Sequence, residues 1–301
     1  MDLRKYKSLV LPVALVVGYF TRSLCAAVSF TVPYIIFAIL LLSLSGVTLV
    51  RLRPHRLDLY TALFQVVVSM LLYAGVYACT SSEILSQGTM MCVLCPVASS
   101  VTVIAVMLGA DKARTVTYTI VGNLLVALVA PIYITLIDDS QDISFFRSLY
   151  MIFYKTATVI ALPCLVVVFL QKYLPRVNAK IAEFQSCSFY LWAFVLLVVI
   201  GETADFVVQR WAEDSGDIGW LILISGVVCM SQFAIGKIIG RRCGDIIAGG
   251  QILAQKNTAM GIWMINTFLN PIASVSMAGY SIFQNIFNSL QLYLKMRRKQ
   301  L

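Results

Sequence analysis

The sequence is dominated by apolar stretches of about 20 residues that follow one another with short polar segments between them. An α-helix of that length crosses the hydrocarbon core of a bilayer. Charged residues make up 12% of the chain, whereas a soluble domain carries roughly 25%. The stretches lie at about 8–25, 30–50, 59–79, 87–109, 115–137, 147–170, 186–205, 218–239, 245–266 and 272–294. The sequence therefore predicts an all-α integral membrane protein with ten transmembrane helices.

Lysine and arginine residues are concentrated in alternate polar segments. These segments lie within 1–7, 51–56, 112–114, 172–180, 237–242 and 295–299. Cytoplasmic loops of membrane proteins carry an excess of Lys and Arg, so we expect both termini in the cytoplasm and the protein in the cell inner (plasma) membrane. The net charge of +9 reflects these short clusters, and we expect membrane lipid, not nucleic acid, around them.

Five of the stretches precede residue 145 and five follow it, with the same alternation of basic and non-basic segments. A unit with an odd number of spans ends on the opposite side of the membrane, so a second copy of it is inverted. We therefore expect two inverted five-helix repeats, residues 1–145 and 146–301. This arrangement is typical of secondary transporters.

The fourth stretch contains a proline at its centre, in the segment CVLCPVASSVT. Proline lacks the backbone N–H that a helix needs, and its ring clashes with the preceding turn. The helix is therefore expected to break near Cys95 and Pro96. The hydroxyls of Ser99, Ser100 and Thr102 follow the break, where they can cap the new helix N-terminus.

The ninth stretch contains the polar run Gln255, Lys256, Asn257 and Thr258. Polar side chains at this depth are costly unless they line a cavity or pair within the helix bundle. Interrupted helices at matching positions of two repeats indicate a binding site. The predicted substrate-binding residues, expected around one central cavity, are Ser99, Ser100, Lys256, Asn257 and Thr258. The alternative is a proline kink together with a polar packing patch.

Two longer segments resemble the bile acid:sodium symporter family. The segment CPVASSVTVIAVMLGAD (95–111) is similar to the family's region around the break of its fourth helix, and QKNTAMGIWMINTFLNPIASVSMAGYSIFQN (255–285) is similar to its ninth and tenth helices. The resemblance implies ten spans in two inverted repeats, with broken fourth and ninth helices that cross. It also implies a transporter and not an enzyme.

The resemblance further implies where this chain differs at the family's sodium sites. The corresponding ion-site positions are Thr102, Thr115, Thr119, Gln255 and Lys256. The family's ion-binding Glu falls on Ile252, and its ion-binding Gln falls on Lys256. An ammonium about 4 Å from Na⁺ repels it by roughly 4 kcal/mol at an effective dielectric constant of about 20. We therefore expect no cofactor, and we expect that transport does not need sodium in the family's usual way.

The lysine in the ninth stretch has three interpretations. Its ammonium can stand in for the missing ion, as a built-in positive charge. Proton release and uptake at Lys256 can also replace sodium as the coupling event, because burial disfavours the charged form of a lysine. Finally, Lys256 can pair with carbonyls of an unwound helix, or extend its flexible stem into an aqueous vestibule.

The predicted function follows from the charge expected at the breaks. Two half-helix N-termini, near Ser100 and Asn257, present partial positive charge, and Lys256 adds a full one. The sequence thus predicts a secondary active transporter of an organic anion, bile-acid-like or a small carboxylate, that works by alternating access. One alternative is an integral membrane enzyme acting on a lipid-like substrate, which would need a motif such as H-E-x-x-H or paired aspartates; the apolar stretches contain neither. The other alternative is a non-transporting membrane sensor. The sequence does not indicate an oligomeric state.

Overall fold

The computed structural model describes residues 10–46, 53–98, 100–137, 145–210 and 215–298. In these residues the regular secondary structure is helical, apart from one isolated antiparallel bridge between Val97 and Lys256. The first half contains helices α1 (Val10–Phe20), α2 (Arg22–Val28), α3 (Val32–Ser45), α4 (Arg56–Thr80), α5 (Glu83–Leu94), α6 (Val101–Leu108) and α7 (Lys112–Ile137). The second half contains α8 (Phe145–Tyr173), α9 (Pro175–Glu183), α10 (Ser188–Arg210), α11 (Ser215–Arg242), α12 (Ile246–Ala254), α13 (Thr258–Phe268) and α14 (Val275–Arg298).

Five helical segments of the described chain are long and apolar enough to cross a membrane: Arg22–Ser45, Arg56–Thr80, Lys112–Ile137, Pro175–Phe206 and Gly216–Arg242. Large apolar side chains on them lie on the outer surface of the bundle. Leu136 is 72% exposed, for example, and Leu63 58%. Surface leucines of this density are favourable in lipid and unfavourable in water. The protein is therefore an all-helical integral membrane protein that crosses the bilayer several times.

Two boundaries differ from those expected from the apolar stretches. The gap expected between the first two stretches, near residues 26–29, is helical: α2 continues to Val28, and a 3₁₀ turn, Ser29–Thr31, leads directly into α3. The segment after residue 173 was expected to be a loop but forms α9. This helix is held by the side-chain amide of Asn178, whose Nδ2 donates to the carbonyl of Ser45 at 3.0 Å.

Glycine residues allow α12 to approach α11 closely. A Cβ atom on Gly249 would lie 2.6 Å from Cα and 2.8 Å from the backbone nitrogen of Gly240. Small residues at such contacts let helix backbones pack against each other within a membrane. The pair therefore holds α12, the half-helix that precedes the polar run at 255–258, against a long helix of the bundle.

Candidate functional site

The two interrupted helices meet at their breaks. The first interruption separates α5 from α6, and the second separates α12 from α13. Two backbone hydrogen bonds join the unwound segments: the N–H of Ala98 donates to the carbonyl of Gln255 at 3.0 Å, and the N–H of Asn257 donates to that of Pro96 at 2.7 Å. Val97 and Lys256 lie between these bonds as an antiparallel pair, which we call the central bridge. Each break thus satisfies backbone groups of the other, which hydrocarbon cannot do.

Polar side chains from three other parts of the chain reach the end of α5. The last carbonyls of a helix have no partner within the helix and carry the negative end of its dipole. At 2.7–3.0 Å, Gln232 Nε2 donates to the carbonyl of Cys92, Lys256 Nζ to that of Val93, and Gln65 Nε2 to those of Leu94 and Cys95. The end of α5 is therefore capped by two glutamines and one lysine.

Lys256 is buried, with 1% of its surface exposed. Its stem is enclosed by protein, and its ammonium contacts the carbonyl of Val93, which lies in the last turn of α5 and not in an unwound segment. In the described part of the chain, no carboxylate lies within ion-pair distance of its ammonium. An ammonium has three donor hydrogens, and this hydrogen bond uses one of them.

The backbone of Lys256 has a second partner on α14. Gln284 Oε1 accepts from the Lys256 N–H at 2.9 Å, and Gln284 Nε2 donates to the Lys256 carbonyl at 3.2 Å. The side-chain amide of Gln284 therefore pairs with the backbone of Lys256 as a neighbouring strand would, in addition to the pairing of Lys256 with Val97. Tyr280, one turn earlier, donates its hydroxyl to the carbonyl of Ala254 at 2.7 Å. Because of these contacts, α14 fixes the second break.

The N-termini that follow the breaks are capped differently. Asn257 caps α13, with its Oδ1 accepting from the N–H of Met260 at 3.2 Å. Ser100 occupies the N-cap position of α6 but its side chain makes no capping hydrogen bond, so the cap expected from this hydroxyl is absent. Ser99 lies outside the described residues. The start of α6 thus keeps backbone N–H groups that Ser100 does not satisfy.

A small cavity of about 70 Å³ lies beside the central bridge, between the breaks and the helices α3, α10 and α14. Four of the five predicted substrate-binding residues line it: Ser100, Lys256, Asn257 and Thr258. Ser281 also lines it, and its buried hydroxyl has no hydrogen-bond partner among the described residues. The volume suffices for a few water molecules and is well below the roughly 300–1,000 Å³ of sites that enclose drug-sized molecules.

A second cavity, of about 260 Å³, lies between α6 and the segment that leads into α10. Its polar wall consists of Ser43, Thr102, Gln185, Ser186 and Ser188. The hydroxyl of Ser188 is buried and, in the described part of the chain, has no hydrogen-bond partner. Thr102, one of the five ion-site positions, therefore belongs to a different cavity from Lys256.

The remaining three ion-site positions, Thr115, Thr119 and Gln255, line neither cavity. The hydroxyls of Thr115 and Thr119 donate to carbonyls one turn earlier on α7, at 2.9 and 2.7 Å. Gln255 Nε2 donates to the side-chain oxygen of Gln251. The position implied for the family's carboxylate, Ile252, is fully buried. Within the described ranges, no group of three or more His, Cys, Asp or Glu side chains could hold a metal ion.

Sequence reasoning missed part of this network. Gln65, Gln232 and Tyr280 are not among the residues predicted above. Each is a hydrogen-bonding residue within an apolar helix, where an unpaired polar group is costly. That cost was the available signal, although it gives no indication of which backbone carbonyl the side chain reaches.

Comparison with known proteins assigns the sequence to a family. The sequence matches no curated protein. The model of the Sodium Bile acid symporter family matches residues 59–210, half of the chain, a range that contains α5, the first break and α6. The chain therefore belongs to the sodium bile acid symporter family, whose members are membrane transporters.

Proposed function

We propose that the protein is a secondary active transporter that carries an organic anion, bile-acid-like or a small carboxylate, by alternating access. The observation that carries the proposal is the central bridge between two interrupted helices, beside a cavity lined by Ser100, Lys256, Asn257 and Thr258. Transporters built from inverted repeats bind substrate where such helices meet.

The proposal includes two inverted repeats of five spans, residues 1–145 and 146–301. The order of helices in the two halves supports it. In the first half, α4 precedes the interrupted pair α5 and α6, and α7 follows; in the second, α11 precedes α12 and α13, and α14 follows. The two breaks therefore occupy equivalent places along the chain, as a duplicated unit would have them.

The residues of the cavity favour an anion as substrate. The N-terminus of α6 offers partial positive charge, and the hydroxyl of Ser100 forms no capping hydrogen bond there. The ammonium of Lys256 has donor hydrogens beyond the one bound to Val93. A carboxylate or sulfonate bound here would supply the negative charge that these groups lack within the described residues.

The size of the central cavity implies that binding requires movement. Its far wall is formed by apolar side chains of α3 and α10, among them Ile36, Trp192 and Leu196. Displacement of these two helices away from the breaks would enlarge the cavity beside Lys256. We propose this displacement as the step that admits the anion, with the central bridge as the part that stays fixed.

The ion that couples transport is also part of the proposal. Ile252 brings no carboxylate to the second break, and Lys256 brings an amine. Both changes oppose the binding of Na⁺, the second by Coulomb repulsion. We propose that Lys256 supplies the positive charge itself, so that transport does not require sodium in the family's usual way.

Uptake into proteoliposomes tests the proposal. Purified protein is reconstituted, and radiolabelled taurocholate and a panel of small labelled carboxylates are offered outside, with protein-free liposomes as the control. We expect at least one of these anions to accumulate inside unchanged. Chemical conversion of the label without accumulation would instead identify an enzyme, and no accumulation of any anion would contradict the proposal.

A further inference from the structure

A groove of about 820 Å³ lies between the beginning of α4 and the end of α11. It shares no residue with the cavity at the central bridge. The residues that line it on α4 include Arg56, Tyr60, Leu63 and Val67, and Arg242 lines it at the end of α11. It therefore combines a charged end with an apolar length.

The charged end carries donors without acidic partners. Arg56 and Arg242 are exposed, and neither forms an ion pair within the part of the chain that the structure describes. His55 Nδ1 accepts from the N–H of Leu57 at 3.2 Å, so in the neutral ring the proton lies on Nε2, which can donate. The acid in this corner, Asp58, is 3% exposed and accepts from the His55 N–H through Oδ2 at 2.7 Å.

The apolar length follows one face of α4. Tyr60, Leu63 and Val67 recur at helical spacing and are 49%, 58% and 44% exposed. The helix belongs to a segment long and apolar enough to cross the bilayer. The groove thus runs from an interfacial cluster of positive charge along the surface that faces hydrocarbon.

We propose that an anionic phospholipid occupies this groove, with its phosphate bound to Arg56 and Arg242 and an acyl chain along Tyr60, Leu63 and Val67. The planar guanidinium group forms paired hydrogen bonds to phosphate oxygens. Basic pockets between transmembrane helices bind anionic headgroups for this reason. The apolar wall selects a lipid over a free phosphate, because only a lipid covers it. The site is independent of the proposed transport.

The lipid site is tested on the full-length protein in neutral detergent. Phosphatidylglycerol and phosphatidylcholine with identical acyl chains are titrated separately, and the bound fraction is measured by native mass spectrometry. We expect saturable binding of phosphatidylglycerol and weaker binding of phosphatidylcholine. The double variant Arg56→Gln, Arg242→Gln should bind phosphatidylglycerol about 30-fold more weakly. Arg241→Gln, which changes an exposed neighbour outside the groove, should bind as the unchanged protein does.

A second pair of variants tests the apolar wall. Leu63→Trp fills the groove and should weaken the binding of phosphatidylglycerol. Leu71→Trp changes a residue of the same helix that is 63% exposed and lies outside the groove, and it should leave the binding intact. Thermal melting without added lipid, measured for every variant, shows whether each one is folded. If the double arginine variant is not folded, the two single arginine variants replace it in the binding test.

Several results would overturn the lipid site. Equal binding of the two lipids, or full binding by folded arginine variants, would show that the arginines do not recognise the headgroup. Protection from melting by inorganic phosphate alone, as strong as that by the lipid, would remove the role of the acyl chain. If taurocholate displaces the lipid, and if the arginine variants no longer bind taurocholate, the groove would be assigned to a soluble amphipathic anion.

Discussion

The ammonium of Lys256 is the residue-scale feature on which the account depends. Burial of a charge without a counter-charge is costly, and the compensation here consists of the Val93 carbonyl and the negative end of the α5 dipole. This is incomplete solvation for a group with three donors. Under the proposed function, an anion that reaches this ammonium would complete its solvation.

Gln65 has a structural role that can be separated from binding. Its Nε2 donates to two carbonyls at the end of α5, and its Oε1 accepts from the Tyr118 hydroxyl at 3.0 Å. Gln65→Leu should destabilise the protein by about 2–4 kcal/mol, because buried polar groups lose their partners. Thermal unfolding in detergent measures this as a lower melting temperature. Gln209→Leu, a change at an exposed glutamine, should alter it little, and an equal loss in both variants would contradict the role of Gln65.

At the scale of elements, each interrupted helix depends on elements distant in sequence. The break after α5 is paired with the break after α12 through the central bridge, and α14 fixes the second break through Gln284. The half-helix α12 is in turn held by its contact with α11. These contacts are the reason why the proposed movement is assigned to the lining helices and not to the breaks.

The contact between α11 and α12 gives a direct test at this scale. Gly249→Ala would place a Cβ against backbone atoms of Gly240, which can give way only if the helices separate. We expect a loss of about 1–3 kcal/mol from this overpacking. Gly219→Ala, on α11, meets nothing within 4 Å and should preserve or raise the stability. A melting temperature unchanged by Gly249→Ala would refute the close packing.

The sequence predicted the positions of both breaks but not what surrounds them. Pro96 and the polar run beginning at Gln255 were recognisable because each violates a rule for a membrane helix. The contact of the Lys256 ammonium with Val93 could not be recognised in the sequence, because the acceptor is a backbone carbonyl and any residue type supplies one. The carbonyl that Gln232 reaches could not be predicted for the same reason. Helix α9 was missed because it is short and polar on one face, so it lacks the apolar length by which spans were identified.

At the scale of the whole molecule, the proposed transporter has a definite orientation in the membrane. Basic residues concentrate in alternate segments of the chain, and the positive-inside rule then predicts that both termini lie in the cytoplasm. The proposed inverted repeat requires, in addition, that the two halves have opposite orientations in the membrane.

Cysteine accessibility tests the orientation. In a background with the exposed Cys79 and Cys187 replaced by serine, single cysteines are introduced as Gln141→Cys, Asp214→Cys, Arg53→Cys and Val177→Cys. A membrane-impermeant maleimide applied to intact cells should label the first two and not the last two. Permeabilised cells, in which all four should react, are the control. Labelling of positions 53 and 177 from outside would exclude the predicted orientation.

The central claim is that Lys256 supplies the positive charge for anion transport in place of sodium. Uptake into proteoliposomes, with Na⁺ replaced by K⁺ or choline and repeated at several pH values, tests it most directly. The unchanged protein should keep its uptake without sodium. Lys256→Gln should lose about tenfold or more, while Lys180→Gln, at an exposed lysine of α9, should not. Uptake that collapses without sodium and survives Lys256→Gln would contradict the account.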